Sequence, residues 1–222
     1  MEAKGTVSIA EVTSGDISPA SWSLTELLPD AEEGTFKGRV AELEQAVDLF
    51  EGARGELATL EGPRLLELVG EYESIVSRMH VLAAYGSLWF ASDTQSEAAL
   101  AFRSHGEQIL TKMRNRVLFF TVWWKELEEE PAQELLGSCG EHPDRSFFLS
   151  ELRRFRAFTL DESREQLINL KDTDGVGGLL TVYSMLTDRL QFVLEDDGEE
   201  LTLTRDELMA WVMSPEAQKR EA

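Results

Sequence analysis

Two long apolar stripes separated by a short polar link constrain this chain more than any other feature of it. From 63 to 91, Leu65, Leu68, Val69, Tyr72, Val76, Met79, Leu82, Ala83, Gly86 and Trp89 recur every three or four residues. That spacing puts side chains on one face of an α-helix. From about 95 to 129, Ala99, Phe102, Gly106, Ile109, Met113, Val117, Phe120, Trp124 and Leu127 repeat the pattern, and Ser92-Asp93-Thr94-Gln95 turns the chain between them. Helices of this length on so short a link pack side by side and antiparallel. The sequence therefore predicts a mainly α fold, a helical lobe built round a long antiparallel helix hairpin.

Shorter patterns surround the hairpin. Phe36, Val40, Leu43, Val47 and Phe50 predict a helix over 35–53. Pro131 and the glycine-containing stretch 137–144 break the chain around a short helix, and further helices are expected over 146–157, from about 159 to 172 and over 176–188. Residues 1–20 lack periodicity and are rich in Ser, Thr and Gly. They are expected to form a flexible tail, leaving 21–222 as the folded lobe. The pairs Ser23/Glu26, Thr94/Glu97, Thr159/Glu162 and Thr204/Glu207 have the spacing of capping boxes, in which hydroxyl and carboxylate satisfy free helix N–H groups reciprocally.

Near the C-terminus the period changes from 3.6 to 2. Leu190, Phe192 and Leu194 alternate with Gln191, Val193 and Glu195, Asp197-Gly198 supplies a turn, and Leu201 and Leu203 resume the alternation. This predicts one small β-hairpin at about 190–204. Ser214-Pro215-Glu216 is expected to open a last helix, with proline in its first turn. A lone hairpin is marginal in water, and no other strand candidate is long enough to complete a sheet. With the sequence ending soon afterwards, the expectation is the front part of a larger protein.

Charge narrows the partners. The chain carries 42 acidic against 21 basic residues, a formal net charge of −21. Such a surface repels phosphate backbones and anionic lipid, so neither nucleic acid nor membrane is an expected partner. No run of residues approaches the length of a membrane span. Cys139 is the only cysteine, which excludes an internal disulfide and points to a reducing, cytoplasmic setting.

No catalytic or metal-binding constellation emerges. His80, His105 and His142 lack the His-Glu-x-x-His arrangement that would aim two imidazoles and a carboxylate at one metal. Cys139 and His142 have the spacing of half a zinc site without a second pair. The acidic stretches at Lys171-Asp172-Thr173-Asp174-Gly175 and around Asp197-Gly198 lack the first and last ligands of an EF-hand loop. Gly175, Gly177 and Gly178 precede a helix without the lysine of a phosphate-binding loop, which leaves a flexible turn before a helix N-terminus. The aromatic run Phe119-Phe120-Thr121-Val122-Trp123-Trp124 covers more than one helix face. It fits core packing against two neighbours or an interface with another domain or subunit. Phe119, Phe120, Trp123, Trp124 and Phe192 of the hairpin are the candidate interface residues.

The order of short motifs is distinctive. Trp22-x-Leu24-x-x-Leu27, the run from Tyr85 through Trp89, Phe90 and Ala91 to Asp93-Thr94, and the stretch from Leu170-Lys171-Asp172 to Leu186-Thr187-x-Arg189-Leu190-x-Phe192 follow one another. Leu201-Thr202-Leu203, Leu208 and Ser214-Pro215-Glu216 close the series. Together, over about residues 21–222, they resemble the N-terminal region of oligoendopeptidase F, a zinc metallopeptidase of the thimet-oligopeptidase-like family. The resemblance implies a largely helical lobe forming part of one wall of a deep channel for short peptides. It implies zinc as cofactor and places the metal ligands and the general-base glutamate on a C-terminal helical domain, none of whose positions occurs here. The Val176-Gly177-Gly178 turn departs from the family's usual pattern. The implied function is a non-catalytic lobe of such a peptidase, partnered by the catalytic domain or by self-association. The alternative is a stand-alone helical module for peptide binding or oligomerisation.

Overall fold

A computed structural model describes residues 23–29, 33–196, 198–217 and 220. The expected tail over 1–20 and Trp22 lie outside the described residues, and the helix expected after Ser214 lies largely outside them. The fold is mainly α, with one two-stranded antiparallel sheet near the C-terminus.

Helix α1 spans Glu33–Gly52 and is followed by a 3-10 segment, Ala53–Thr59. The predicted hairpin is α2, Gly62–Ser92, and α3, Glu97–Glu126, in extensive contact with each other. A β-carbon at Gly86 would stand 3.4 Å from the Arg103 Cα and 3.4 Å from the Phe102 ring, so glycine lets the two backbones close at this point. Across both helices lies α1. Phe36 meets Phe102 with ring centroids 4.7 Å apart, and Phe50 sits 5.5 Å from Phe119 and 5.6 Å from Phe120. Leu43, Val47 and Phe50 of α1 and Leu65, Leu68 and Val69 of α2 are essentially inaccessible to water. Burying each such side chain stabilises the fold by about 1.5–3 kcal/mol.

The end of α3 is closed by the next two helices, α4 (Glu129–Gly137) and α5 (Pro143–Arg154). Leu127, extended at φ −51° and ψ 139°, ends α3 at Glu126 rather than at 129 as its apolar pattern suggested. The Arg153 guanidinium donates to the carbonyls of Trp124 and Leu127, both at 3.0 Å, satisfying acceptors that a helix end leaves open. The chain continues through a 3-10 turn at Arg156–Phe158 into α6, Glu162–Lys171.

Capping departs from expectation at three of the four sites. Only Thr204 and Glu207 form a reciprocal box. At the α2–α3 turn, Asp93 accepts from the Gln95 N–H at 3.0 Å, holding the chain out of helix until Ser96, whose hydroxyl accepts from the Ala99 N–H. Thr94 is thus displaced from the capping role. Asp161 rather than Thr159 caps α6, accepting from the Arg164 N–H; the Thr159 hydroxyl donates backwards to the Phe155 carbonyl at 2.9 Å. Ser23 binds Thr25 within a single turn and begins no helix.

The glycine-rich stretch is also different from the flexible turn expected. Residues Asp172–Gly177 form a π-helical turn that runs without a break into α7, Gly178–Thr187. Gly177 and Gly178 keep right-handed helical dihedrals. A β-carbon at Gly177 would lie 3.2 Å from the Asp172 carbonyl oxygen, so the widened turn favours glycine there. No free helix N-terminus exists at this point.

Strands β1, Gln191–Asp196, and β2, Glu199–Thr204, pair with Phe192 opposite Leu203 and Leu194 opposite Leu201. Gly198 supplies the positive φ of the turn, 84°. Helix α8, Arg205–Val212, packs against both strands. The hairpin thus has a cover of its own within the chain.

Candidate functional site

The aromatic run divides between roles. Phe119, Phe120 and Trp124 are buried in the chain's own core, and Trp124 donates its indole N–H to the Leu149 carbonyl at 2.8 Å. The Arg54 guanidinium lies 4.3 Å over the Phe119 ring and pairs with both carboxylate oxygens of Glu162 at 2.8 Å. That hydrogen bonding raises the Arg54 pKa against the opposing effect of burial. Trp123 is half-buried, packed 6.0 Å from both Phe120 and Trp124. Phe192 is half-buried on the hairpin face it shares with Leu194, Leu201 and Leu203. The structure therefore brings four of the five candidates together and leaves Phe192 apart on the hairpin.

Among the described residues no cluster of titratable groups is assembled for chemistry. His80, His105 and His142 are exposed and separate. Cys139 is buried, and desolvation pushes its thiol pKa up, which lowers its reactivity. Burial likewise pushes the Tyr72 hydroxyl up, with Arg114 partly opposing. Among the described residues no group of three or more His, Cys, Asp or Glu side chains could hold a metal ion. The described residues thus offer no set of side chains that fits a zinc centre. No described helix is long and apolar enough to cross a membrane.

What stands out is the way α6 and α7 are mounted. Helix α6 meets α3 through its polar side. Asn115 donates to the Gln166 carbonyl at 3.2 Å, Gln166 donates to the Asn115 carbonyl at 3.1 Å, and Asn169 donates to the Asn115 side-chain oxygen at 2.8 Å. The Thr111 and Thr173 hydroxyls meet at 2.7 Å; Thr173 gives its proton to the Asn169 carbonyl, so Thr111 is the donor to Thr173. The apolar side of α6, with Leu167, Ile168 and Leu170, faces solvent. Helix α7 extends this surface: Leu179 is 73% exposed, Leu180 59%, Tyr183 57% and Leu186 60%. An amphipathic helix ordinarily turns its apolar face inward, so this arm is mounted inside out.

Sequence reasoning named the aromatic run and Phe192 of the hairpin as interface candidates and did not foresee the exposure of α7. A signal was available. Gly178–Thr187 is apolar nearly all round, a composition that belongs to a buried helix.

With the geometry in place, the comparisons bear on fold. The sequence matches no protein-family profile and no curated protein. The structure is similar to the crystal structure of oligoendopeptidase-F from Enterococcus faecium, with a TM-score of 0.66 at 16% sequence identity. The alignment covers 85% of this chain and 36% of that chain. The likeness is one of fold, and the chain spans little more than a third of that peptidase.

Proposed function

We propose that this chain is a non-catalytic helical lobe of an oligoendopeptidase F-like zinc metallopeptidase. It helps form a channel for short peptides, and hydrolysis at zinc takes place on a domain that this chain does not contain. The observation that carries this reading is the fold likeness, which extends over most of this chain and only 36% of the solved peptidase. In the complete protein, substrate choice is set by the size of an unfolded peptide and cleavage by a metal-activated water.

A self-contained core joining α1 to α5 favours a second reading, a stand-alone module that binds peptides or oligomerises without catalysis. Determining the coding DNA beyond codon 222 separates the two. An open frame continuing into a His-Glu-x-x-His helix is the expected result. A stop codon, with peptide binding but no hydrolysis by the purified chain, moves the assignment to the module.

A further inference from the structure

We propose that the cleft between the turn at Leu24–Leu28, α1 and α2 binds a small monocarboxylate with an apolar body, held by Arg78. The inference depends on neither reading of the whole protein. The cleft has a volume of about 310 Å³, within the range of small-ligand sites. Leu27 and Leu28 line it from the turn, where their N–H groups donate to the Leu24 carbonyl at 3.0 and 3.1 Å. Ser77, Arg78, Val81 and Leu82 line it from α2, with Arg39 and Glu42 of α1 opposite. Leu28 and Leu82 are buried and Leu27 and Val81 half-buried, whereas the four polar residues are exposed. An aliphatic interior therefore opens at a polar mouth.

Arg78 selects the charge of the occupant. It makes no hydrogen bond or ion pair among the described residues, in a chain with 42 acidic against 21 basic residues. Three and four positions away along α2 stand Ser74, Ile75, Val81 and Leu82, so no carboxylate on its own helix face reaches it. The neighbouring carboxylates are already held. Glu42 accepts from Arg39 at 3.3 Å, and Glu71, in the adjoining groove that Arg78 also lines, accepts from Arg64 at 2.9 Å. Acidic groups elsewhere on the surface act weakly here, because screening at physiological salt has a range of about 8 Å. One uncommitted guanidinium matches one negative charge, so a monoanion fits and a phosphate dianion does not. A carboxylate accepts two parallel N–H bonds from such a group. The Ser77 hydroxyl is a further donor beside it, and the leucine and valine walls suit an aliphatic body.

The test is calorimetric titration of the full chain with octanoate, and with octanol and octylamine as neutral and cationic molecules of the same length. Octanoate is expected to saturate at one per chain and to bind about tenfold more tightly than octanol, a gap that narrows as salt rises. Arg78→Gln should close that gap. Ser77→Trp, which keeps every charge and fills the cleft, should weaken octanoate and octanol alike. Both positions are exposed, so circular dichroism should stay unchanged in either variant. The proposal is overturned if octanoate does not saturate, if Arg78→Gln leaves its binding unaltered, or if octylamine binds as tightly at the same stoichiometry. Displacement of octanoate at a tenth of its concentration by a leucine-rich peptide carrying one aspartate would also overturn it, and would give the cleft to a protein partner.

Discussion

Replacing Trp124 with alanine contrasts the buried half of this molecule with its uncovered half. The Trp124 side chain is completely buried, so its removal costs about 3–5 kcal/mol as transfer and cavity terms together. Its N–H bond to Leu149 is worth about 1 kcal/mol more. Arg153, 5.8 Å above the ring, adds about 0.5 kcal/mol. The sum, about 4.5–6.5 kcal/mol, is a large share of the roughly 5–15 kcal/mol by which domains are stable. Leu179 is 73% exposed, and its replacement by alanine should cost less than about 0.5 kcal/mol. Urea unfolding followed by amide circular dichroism measures both. With a slope of about 2–3 kcal/mol per molar, Trp124→Ala should lower the midpoint by about 2 M, while Leu179→Ala leaves it in place. Equal losses in the two variants would refute the division into covered core and uncovered arm.

Two further variants examine local contacts. Gly62 at the start of α2 abuts Ser138 so closely that a β-carbon would overlap the serine side chain. Gly62→Ala should destabilise by about 1–3 kcal/mol. Adding Ser138→Gly should restore most of that loss in thermal melts; failure to rescue means the contact is not the cause. Glu207 accepts from the Thr204 N–H and then from its hydroxyl, which holds its carboxyl below the usual range. The cap's stabilisation is therefore present above the ordinary carboxylate pKa of about 4.3 and is lost as pH falls through the depressed folded value. Backbone chemical shifts of Arg205–Val212 should titrate in that acidic window, and Glu207→Gln should abolish the titration.

The helix hairpin was legible because its period persists through α2 and α3, so the packed face is over-determined. Phe36, Leu43, Val47 and Phe50 were legible for the same reason. Caps were less so. Many hydroxyl and carboxylate pairs have the right spacing, and which one forms depends on turns such as that of Asp93, visible only in three dimensions. The π-helical turn escaped because glycines read locally as a break, whereas Gly177 relieves crowding inside a continuous helix. The arm escaped because periodicity reports which residues share a face and not which way that face points. Leu167 and Leu170 look like core residues in sequence; Asn115, Gln166 and Asn169 turn them outward.

Hydrogen exchange of the purified chain, resolved by segment, tests most directly whether a covered helical core carries an uncovered arm. The account predicts strong protection across Gly62–Glu126 and markedly faster exchange over Gly178–Thr187, where few apolar contacts oppose local opening. Protection over Gly178–Thr187 equal to that of Gly62–Glu126 would contradict it, because the arm would then be as firmly held alone as the core is.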